Sequence, residues 1–504
     1  MRRSLVTNVL PCALALMLVV AACGTDNPTV GRSDATGTGT GTGTGDEGDP
    51  FGWEAFDNDD AGIETGSIQV PIDHDEPSAG TFDLFVARHL ATDPDARIGS
   101  LLVNPGGPGF GGSDFAIYAD QFYSNELLAH FDIVGWDPRG TGLSEPAIDC
   151  IDDYDRYFTG LDITPDDDAE RQELIDLATE FQGRCASQNA DIVQHVGTND
   201  TARDMDAIRA ALGEDQITYF GFSYGSELGA TWATLFPDTV RGAVLDGAVD
   251  PNADLLEASL QQTAGFEHSL ETFLARCSAD TECVFHNDGD AEGAFDALML
   301  DLDERPVPSE PDRPDVDRGM ALSAAAQAMY DESFWSQLEQ ALTDARGGDG
   351  SGLLALFDLY FQRQADGTYD DALEAFQTIS CMDAPERPTV DEDDANAPLF
   401  NEAAPRFAPG TTGSYFCSFY PVPDDPRVEI TGAGAGPILV VGTTGDPATP
   451  LSGTKAMAEA LDEGVLLVVV ADQHTGYGVN DCAVSTVDAY LIGLTVPADG
   501  ERCE

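Results

Sequence analysis

The stretch that decides the fold is Ile217-Thr218-Tyr219-Phe220-Gly221-Phe222-Ser223-Tyr224-Gly225. Its apolar start predicts a short strand, and the residues after Gly225 predict a helix that stops before Pro237. A sharp strand-to-helix turn crowds its neighbours, and Gly221 and Gly225 have no Cβ that could clash. Such a turn lifts the Ser223 hydroxyl above the sheet and beside a helix N-terminus, where developing negative charge is stabilised. We therefore interpret the stretch as a nucleophile elbow rather than a structural Gly-Ser turn.

Length and charge limit the possible classes of protein. The chain has 504 residues, which predicts either one large core with a sizeable insertion or two domains. It carries 23 basic and 91 acidic residues, for a net charge of −68. This balance argues strongly against a nucleic-acid partner, because such partners require a basic surface. The acidity itself is typical of a solvated, self-repelling surface.

The N-terminus predicts export. Arg2 and Arg3 precede an apolar run over residues 9–20, which is short for a membrane span. Small residues then lead to Cys23, and the segment resembles a bacterial lipobox, in which Cys23 is lipidated and becomes the mature N-terminus. The alternative is an ordinary signal peptide with an incidental cysteine. We expect residues 1–22 to be a lipoprotein signal peptide, with lipid on Cys23 holding the protein on the extracytoplasmic side of a bacterial membrane.

Residues 23–50 predict a flexible tether. Thr-Gly repeats fill residues 36–45 and cannot bury apolar area. The folded part is therefore expected to begin near residue 51.

The cysteines beyond Cys12 and Cys23 form an even set, which favours disulfides in an exported chain. Pairing in sequence order is our expectation, although other connectivities are open. The set is Cys150, Cys185, Cys277, Cys283, Cys381, Cys417, Cys482 and Cys503. Cys277, Cys283 and His286 are an alternative group of metal ligands, but their spacing is not a usual zinc pattern. We expect no metal.

A second glycine-rich loop follows another predicted strand. The strand over residues 100–104 ends in Asn104-Pro105-Gly106-Gly107-Pro108-Gly109, and so many glycines indicate a close backbone approach. Residues 107–112 fit a dinucleotide fingerprint, but Pro108 and the lack of a suitable acid after the next strand argue against it. An oxyanion loop is the better interpretation, with one of its N–H groups joining that of Tyr224. A purely structural turn is the alternative.

The pattern of elements changes after residue 250. Strand signals vanish over residues 251–383 and helical periodicity dominates, whereas strands return at residues 437–441 and 465–471. We therefore divide the folded part into a core over residues 51–250, a helical cap over residues 251–383 and the C-terminal part of the core over residues 384–504. A cap of this kind shapes substrate access. Residues 391–426 read as loop-rich.

A serine nucleophile needs a base and a group that orients the base. His474 follows the last strong strand signal and is the only histidine after Asp446, which itself follows a strand. Asp472 is the less favoured orienter, because it lies only two residues from His474. The order Ser223, Asp446, His474 is that of α/β-hydrolases. It predicts an α/β fold with a mostly parallel central sheet, flanking helices and a large helical cap insertion.

These motifs resemble those of the tripeptidyl aminopeptidases, in the prolyl-aminopeptidase group of α/β-hydrolases. The resemblance extends from roughly residue 60 to the C-terminus. The motifs that carry it are the elbow at Ser223, the loop 104–109, Asp137-Pro138-Arg139-Gly140, Asp446-Pro447 and His474-Thr475-Gly476. It implies an exported or surface-anchored exopeptidase that removes short peptides, such as tripeptides, from free N-termini. It further implies Ser223 as nucleophile, His474 as base, Asp446 as orienter, and Gly107 and Tyr224 as oxyanion donors.

Such an enzyme must bind the ammonium group of its substrate, and a carboxylate of the cap would suit that task. Glu267 is the candidate, against the alternative of an ordinary solvated acid on a helix. Two other functions stay open: an esterase or lipase on the same scaffold, and a surface binding lipoprotein with a degenerate site. The sequence implies no organic cofactor and does not indicate an oligomeric state.

Overall fold

The computed structural model describes residues 48–56, 62–159, 162–165 and 167–504. The predicted signal peptide, Cys23 and almost all of the predicted tether lie outside the described residues. Within the described ranges, no helix is long and apolar enough to cross a membrane.

One sheet forms the centre of the molecule, with the strand order β1-β2-β3-β5-β4-β6-β7-β8-β9-β10. The strands from β5 to β10 in this order are parallel, whereas β1, β2 and β3 extend one edge in antiparallel fashion. This arrangement confirms the predicted α/β class. The strands are β1 Glu54–Ala55, β2 Ile63–Pro71, β3 Thr81–His89, β4 Gly99–Asn104, β5 Phe131–Trp136, β6 Ile217–Phe222, β7 Val240–Asp246, β8 Ile438–Thr443, β9 Gly464–Val469 and β10 Glu501–Cys503.

Helices flank the sheet and build the insertion. In the part of the chain that the structure describes they are α1 Asp114–Ile117, α2 Ala119–Phe122, α3 Asn125–His130, α4 Asp168–Gln188, α5 Thr198–Ala211, α6 Tyr224–Leu235, α7 Leu255–Ala279, α8 Ala291–Glu304, α9 Arg318–Met329, α10 Trp335–Arg346, α11 Ser351–Tyr360, α12 Ala372–Asp383, α13 Val390–Ala395, α14 Ala397–Ala403, α15 Ala408–Thr411, α16 Leu451–Ala460 and α17 Asp481–Gly493.

The central strands are apolar because both of their faces are covered. Every residue of β6 is buried, as expected for a parallel strand inside a three-layer fold. Successive side chains of a strand point to opposite faces, and Tyr219 packs in the apolar cluster on one face together with Trp232. Phe220 and Phe222 pack in the cluster on the other face together with Tyr490. The elbow that follows β6 is thus fixed from both sides of the sheet.

The cap has an apolar core of its own, built mainly from α7 to α11. The cap boundary at residue 383 stays a prediction, and residues on either side of it pack in both apolar clusters. Ala375 and Ile379 of α12 pack in the cluster of the main core, whereas Ala404 and Phe407 lie beyond the boundary and pack in the cap. The segment predicted to be loop-rich also contains α13, α14 and α15. Their brevity explains the difference, because so few turns give little periodic signal.

The disulfides join the cysteines in sequence order, as expected: Cys150–Cys185, Cys277–Cys283, Cys381–Cys417 and Cys482–Cys503. The alternative of a metal site at Cys277, Cys283 and His286 is therefore wrong, because disulfide sulfurs are not thiolate ligands. Among the described residues, one group has ligand spacing, formed by Cys150, Cys185 and Glu374. The same argument excludes it, because its two sulfurs are bonded to each other.

Candidate active site

Ser223 occupies the turn between β6 and α6. Its backbone is in a left-handed conformation, with φ 54° and ψ −125°, and its side chain is partly exposed. The Ser223 N–H donates to the carbonyl of Asp246 at 2.8 Å. A Cβ on Gly221 would lie 2.3 Å from the carbonyl oxygen of Gly225, so only glycine fits there. Strained backbone at a partly exposed serine after a buried strand is the geometry of a nucleophile elbow.

Small residues on α6 let the helix sit close to the sheet. The hydroxyl of Tyr219 donates to the carbonyl of Gly225 at 2.7 Å. A Cβ on Gly229 would lie 2.3 Å from the Tyr219 ring. The two glycines of α6 therefore let the start of this helix lie directly against Tyr219.

The loop after β4 lies against the elbow, as an oxyanion loop must. A Cβ on Gly106 would lie 2.5 Å from the carbonyl oxygen of Phe222 and 3.2 Å from the nitrogen of Tyr224. The N–H of Gly106 already donates to Oδ1 of Asn104 at 2.9 Å, so it is not available to a substrate. Gly107, with φ 109°, follows it in the loop. The geometry is compatible with the predicted use of Gly107 rather than Gly106.

The side chain of Tyr224 is anchored beneath the loop. Its phenol lies 2.5 Å from Oγ1 of Thr198, which in turn donates to Oδ2 of Asp383 at 2.7 Å. Burial raises the pKa of Tyr224 well above its ordinary value, so the phenol stays protonated. This chain of hydrogen bonds fixes the residue whose N–H is the second predicted oxyanion donor.

Asp446 and His474 meet at the ends of β8 and β9. Nδ1 of His474 lies 2.8 Å from Oδ1 and 3.0 Å from Oδ2 of Asp446, and both side chains are fully buried. The second imidazole nitrogen, Nε2, is buried and has no hydrogen-bond partner in the part of the chain described. A Cβ on Gly247, next to the Asp246 that bonds Ser223, would lie 3.0 Å from Cε1 of His474. Ser223 and His474 therefore belong to the same corner of the sheet.

The rival orienter, Asp472, is turned away from the imidazole. It forms an ion pair with Arg276 of α7, and its N–H donates to Glu332 at 3.3 Å. Arg276 also pairs with Glu332 at 3.0 Å. These contacts join the cap to the loop that carries His474.

Two residues beside His474 were not predicted. The main-chain carbonyl of Tyr330, in the cap, accepts a hydrogen bond from the main-chain N–H of His474 at 2.9 Å. The rings of the two residues pack edge to face, with their centroids 5.6 Å apart. Oγ1 of Thr449 lies 3.2 Å from Nδ1 of His474, and its N–H donates to Asp446 at 2.8 Å. A turn after Asp446-Pro447 was the available signal for Thr449. Nothing local in the sequence marks Tyr330.

Glu267 does not have the free carboxylate that binding of a substrate ammonium group would require. It is only 3% exposed. Its Oε2 accepts the N–H of Arg406 at 2.9 Å and that of Phe407 at 3.3 Å, and its Oε1 accepts Nη1 of Arg406 at 3.1 Å. A carboxylate that is already paired with a guanidinium is a poor receptor for an ammonium group. The structure corrects the expectation: Glu267 ties α7 to the segment between α14 and α15.

The site combines a serine at a nucleophile elbow, a glycine-rich loop and a buried His–Asp pair at the carboxyl ends of neighbouring parallel strands. This arrangement is typical of α/β-hydrolases. The chain belongs to the α/β-hydrolase fold family, whose family model matches residues 99–480.

Its relatives are of similar length and are matched over most of their sequence. The chain is 38% identical to the serine protease Hip1 of Mycobacterium tuberculosis over 458 residues, covering 87% of this chain and 86% of that protein. It is 30% identical to tripeptidyl aminopeptidase of Streptomyces lividans over 457 residues, with 88% and 83% coverage. It is 34% identical to carboxylesterase B of Mycobacterium tuberculosis over 455 residues, with 87% and 85% coverage. The resemblance to tripeptidyl aminopeptidases is confirmed.

Proposed function

We propose that this protein is an exported serine exopeptidase that removes short peptides, most simply tripeptides, from free N-termini. The observation that carries the proposal is the buried His474–Asp446 pair beside the Ser223 elbow. The relatives named serine protease and tripeptidyl aminopeptidase support a peptide as substrate.

In the proposed mechanism, Ser223 Oγ attacks the scissile carbonyl carbon while Nε2 of His474 takes the hydroxyl proton. The carbonyl oxygen becomes an oxyanion held by the N–H groups of Tyr224 and Gly107. His474 then gives its proton to the leaving amine as the C–N bond breaks. Water, deprotonated by the same imidazole, attacks the acyl-enzyme and releases the peptide acid and Ser223.

Asp446 keeps the imidazole in the tautomer that this sequence of steps requires. Because its carboxylate accepts Nδ1–H, the lone pair is on Nε2, the nitrogen without a hydrogen-bond partner among the described residues. The carboxylate is itself fixed by N–H groups of its own turn, from Ala448 at 3.0 Å and Thr449 at 2.8 Å. The base is thus oriented before substrate arrives.

Blocking the substrate N-terminus should abolish cleavage. We expect the purified full chain to hydrolyse a tripeptide arylamide with a free amino group at least about 100-fold faster than the acetylated form, because the proposed exopeptidase must pair the substrate ammonium with an acceptor that acetylation leaves unpaired. Release of the arylamine, followed by absorbance, measures both rates. Equal rates on the two substrates would contradict an exopeptidase and leave a general serine hydrolase.

An esterase is the second candidate function, supported by the relative named carboxylesterase B. A simple aryl ester tested beside the arylamide separates the two. Hydrolysis of the ester alone, with Ser223 labelled by a fluorophosphonate, would favour the esterase. A surface binding lipoprotein is the non-enzyme alternative, and the absence of fluorophosphonate labelling would favour it.

We propose that lipid on Cys23 anchors the protein to a bacterial membrane. The proposal rests on the sequence, because Cys23 lies outside the described residues. The variant Cys23→Ala should no longer incorporate a radiolabelled fatty acid, because the thiol that takes the lipid is absent, whereas Cys12→Ala should still incorporate it. Autoradiography of the purified proteins measures this. Fatty-acid label on the Cys23→Ala protein would contradict the proposal.

A further inference from the structure

Asp246, the last residue of β7, is a buried acid with no part in the steps above. It is 0% exposed. Its Oδ1 accepts the N–H of Gly476 and its Oδ2 accepts the N–H of Tyr477, each at 2.7 Å. Both oxygens are thus taken by backbone groups of the loop that carries His474. We call residues 474–477 the histidine loop.

The main chain of the same residue holds the nucleophile. Asp246 is opposite Phe222 in the pairing of β7 with β6, and its carbonyl accepts the Ser223 N–H at 2.8 Å. The next residue, Gly247, has φ 65° and lies against the imidazole of His474. One position in the chain therefore bonds to the elbow through its main chain and to the histidine loop through its side chain.

The other N–H groups of the histidine loop have different acceptors. That of His474 donates to the carbonyl of Tyr330, and that of Thr475 donates to Oδ2 of Asp446 at 3.2 Å. Asp246 accepts the following two. A carboxylate can accept two N–H groups at once, and its charge strengthens both bonds. An amide offers one acceptor oxygen and turns an N–H donor toward the second N–H group.

We infer that Asp246 is a positioning residue, whose carboxylate fixes the histidine loop, and with it His474, relative to Ser223. The inference deepens the proposed function and rests on its Ser223–His474 chemistry. A displacement of about 1 Å between reacting groups can cost about 100-fold in rate, so a residue that fixes this distance matters without touching substrate.

The charge on this carboxyl depends on pH. Burial raises the pKa of Asp246 to about 7. The N–H groups of Gly476 and Tyr477 and the side chain of His474 lower this pKa, but their effect is smaller than that of burial. The charged or titratable groups facing it are His474, after β9, and Asp446, after β8, whose negative charge also raises the pKa. As pH falls through about 7 the carboxyl becomes neutral, and it then resembles the side chain of asparagine.

The test uses a fluorophosphonate and the variant Asp246→Asn in the full chain. The probe forms an Oγ–phosphorus bond with Ser223 and expels fluoride while the base takes the hydroxyl proton, so its rate reports on Ser223 and His474 without a peptide. We expect inactivation of the variant to be about 100-fold slower at about pH 8.5, through the rate constant rather than the affinity for the probe. The ratio of wild-type to variant rates should shrink toward about pH 6.

Asp132→Asn is the matched control. Asp132 is a buried acid near the N-terminal end of β5, whereas Asp246 lies at the C-terminal end of β7. Asp132 accepts a hydrogen bond from the N–H of Ala91 and pairs with Arg97, each at 2.8 Å. Its variant should keep a rate within about three-fold of the wild type at every pH. Should Asp246→Asn fail to fold by circular dichroism, Asp246→Ser, which keeps one acceptor, is measured instead.

An Asp246→Asn rate at about pH 8.5 that is no lower than the Asp132→Asn rate would overturn the inference. Loss of the fold in both Asp246 variants would also overturn it, because Asp246 would then be a residue of core stability. A wild-type protein that reacts with the probe but cleaves no peptide would overturn the proposed peptidase function alone. The comparison of rates would still decide the role of Asp246.

Discussion

Replacing Ser223 with alanine should lower kcat on a tripeptide arylamide by about 10⁶-fold, because no other group can form the acyl-enzyme. The KM should change little, since the methyl group of alanine leaves the pocket intact. The strained backbone at φ 54° tolerates alanine no worse than serine, so the variant should fold normally. Initial rates of arylamine release, with enzyme at high concentration for the variant, measure the effect.

Ser226→Ala is the matched control for this variant. Ser226 lies three residues after Ser223, in the first turn of α6, and its hydroxyl accepts the N–H of Val249 at 3.3 Å. Loss of that hydrogen bond costs stability but removes no reacting group, so the rate should stay within about ten-fold of the wild type. If Ser223→Ala kept more than about 1% of wild-type activity while Ser226→Ala lost most of it, the nucleophile would have been misassigned.

Asp446→Asn should lower kcat by about 10⁴-fold. The amide has one acceptor oxygen in place of two, and its NH₂ group competes for the imidazole as a donor, which favours the wrong tautomer. It also weakens the turn at Ala448 and Thr449, whose N–H groups donate to Oδ1 at 3.0 and 2.8 Å. The pH dependence of kcat, measured on the arylamide, separates a lost tautomer from a lost fold.

Asp472→Asn is the control that decides between the two acids near His474. It breaks an ion pair with Arg276 at a side chain that is 23% exposed, and such pairs contribute about 1 kcal/mol or less. We expect less than about ten-fold loss of kcat. The reverse order of effects, with Asp472 the more sensitive, would make Asp472 the orienter.

The core of the site was predictable because its signals are local. Gly221 and Gly225 around Ser223 follow from the crowding of one turn, and the structure shows that crowding directly. Asp446 and His474 each follow an apolar strand, and the carboxyl ends of parallel strands share one edge of the sheet. The parallel arrangement of β6, β7, β8 and β9 therefore brings these side chains to the same edge of the sheet.

The features of the site that could not be predicted from the sequence depend on contacts between residues that are far apart in the chain. The sequence suggests that Glu267 is a cap acid free to bind an ammonium group, but its carboxylate is paired with Arg406, which lies between α14 and α15. Tyr330 reaches His474 through its main-chain carbonyl, which no side-chain pattern reveals. In the sequence, Asp246 is recognisable only as the end of a buried strand. Its proposed role depends on its contacts with Gly476 and Tyr477, which are far from it in the chain.

The identity of the first product tests the proposed exopeptidase activity most directly. A long peptide and its N-acetylated twin are incubated with the full chain and with the Ser223→Ala variant, and the released fragments are followed by mass spectrometry. The wild type should release the N-terminal tripeptide first and then the next one, whereas neither the acetylated peptide nor the variant should give any product. Internal cleavage, or equal cleavage of the acetylated peptide, would contradict it.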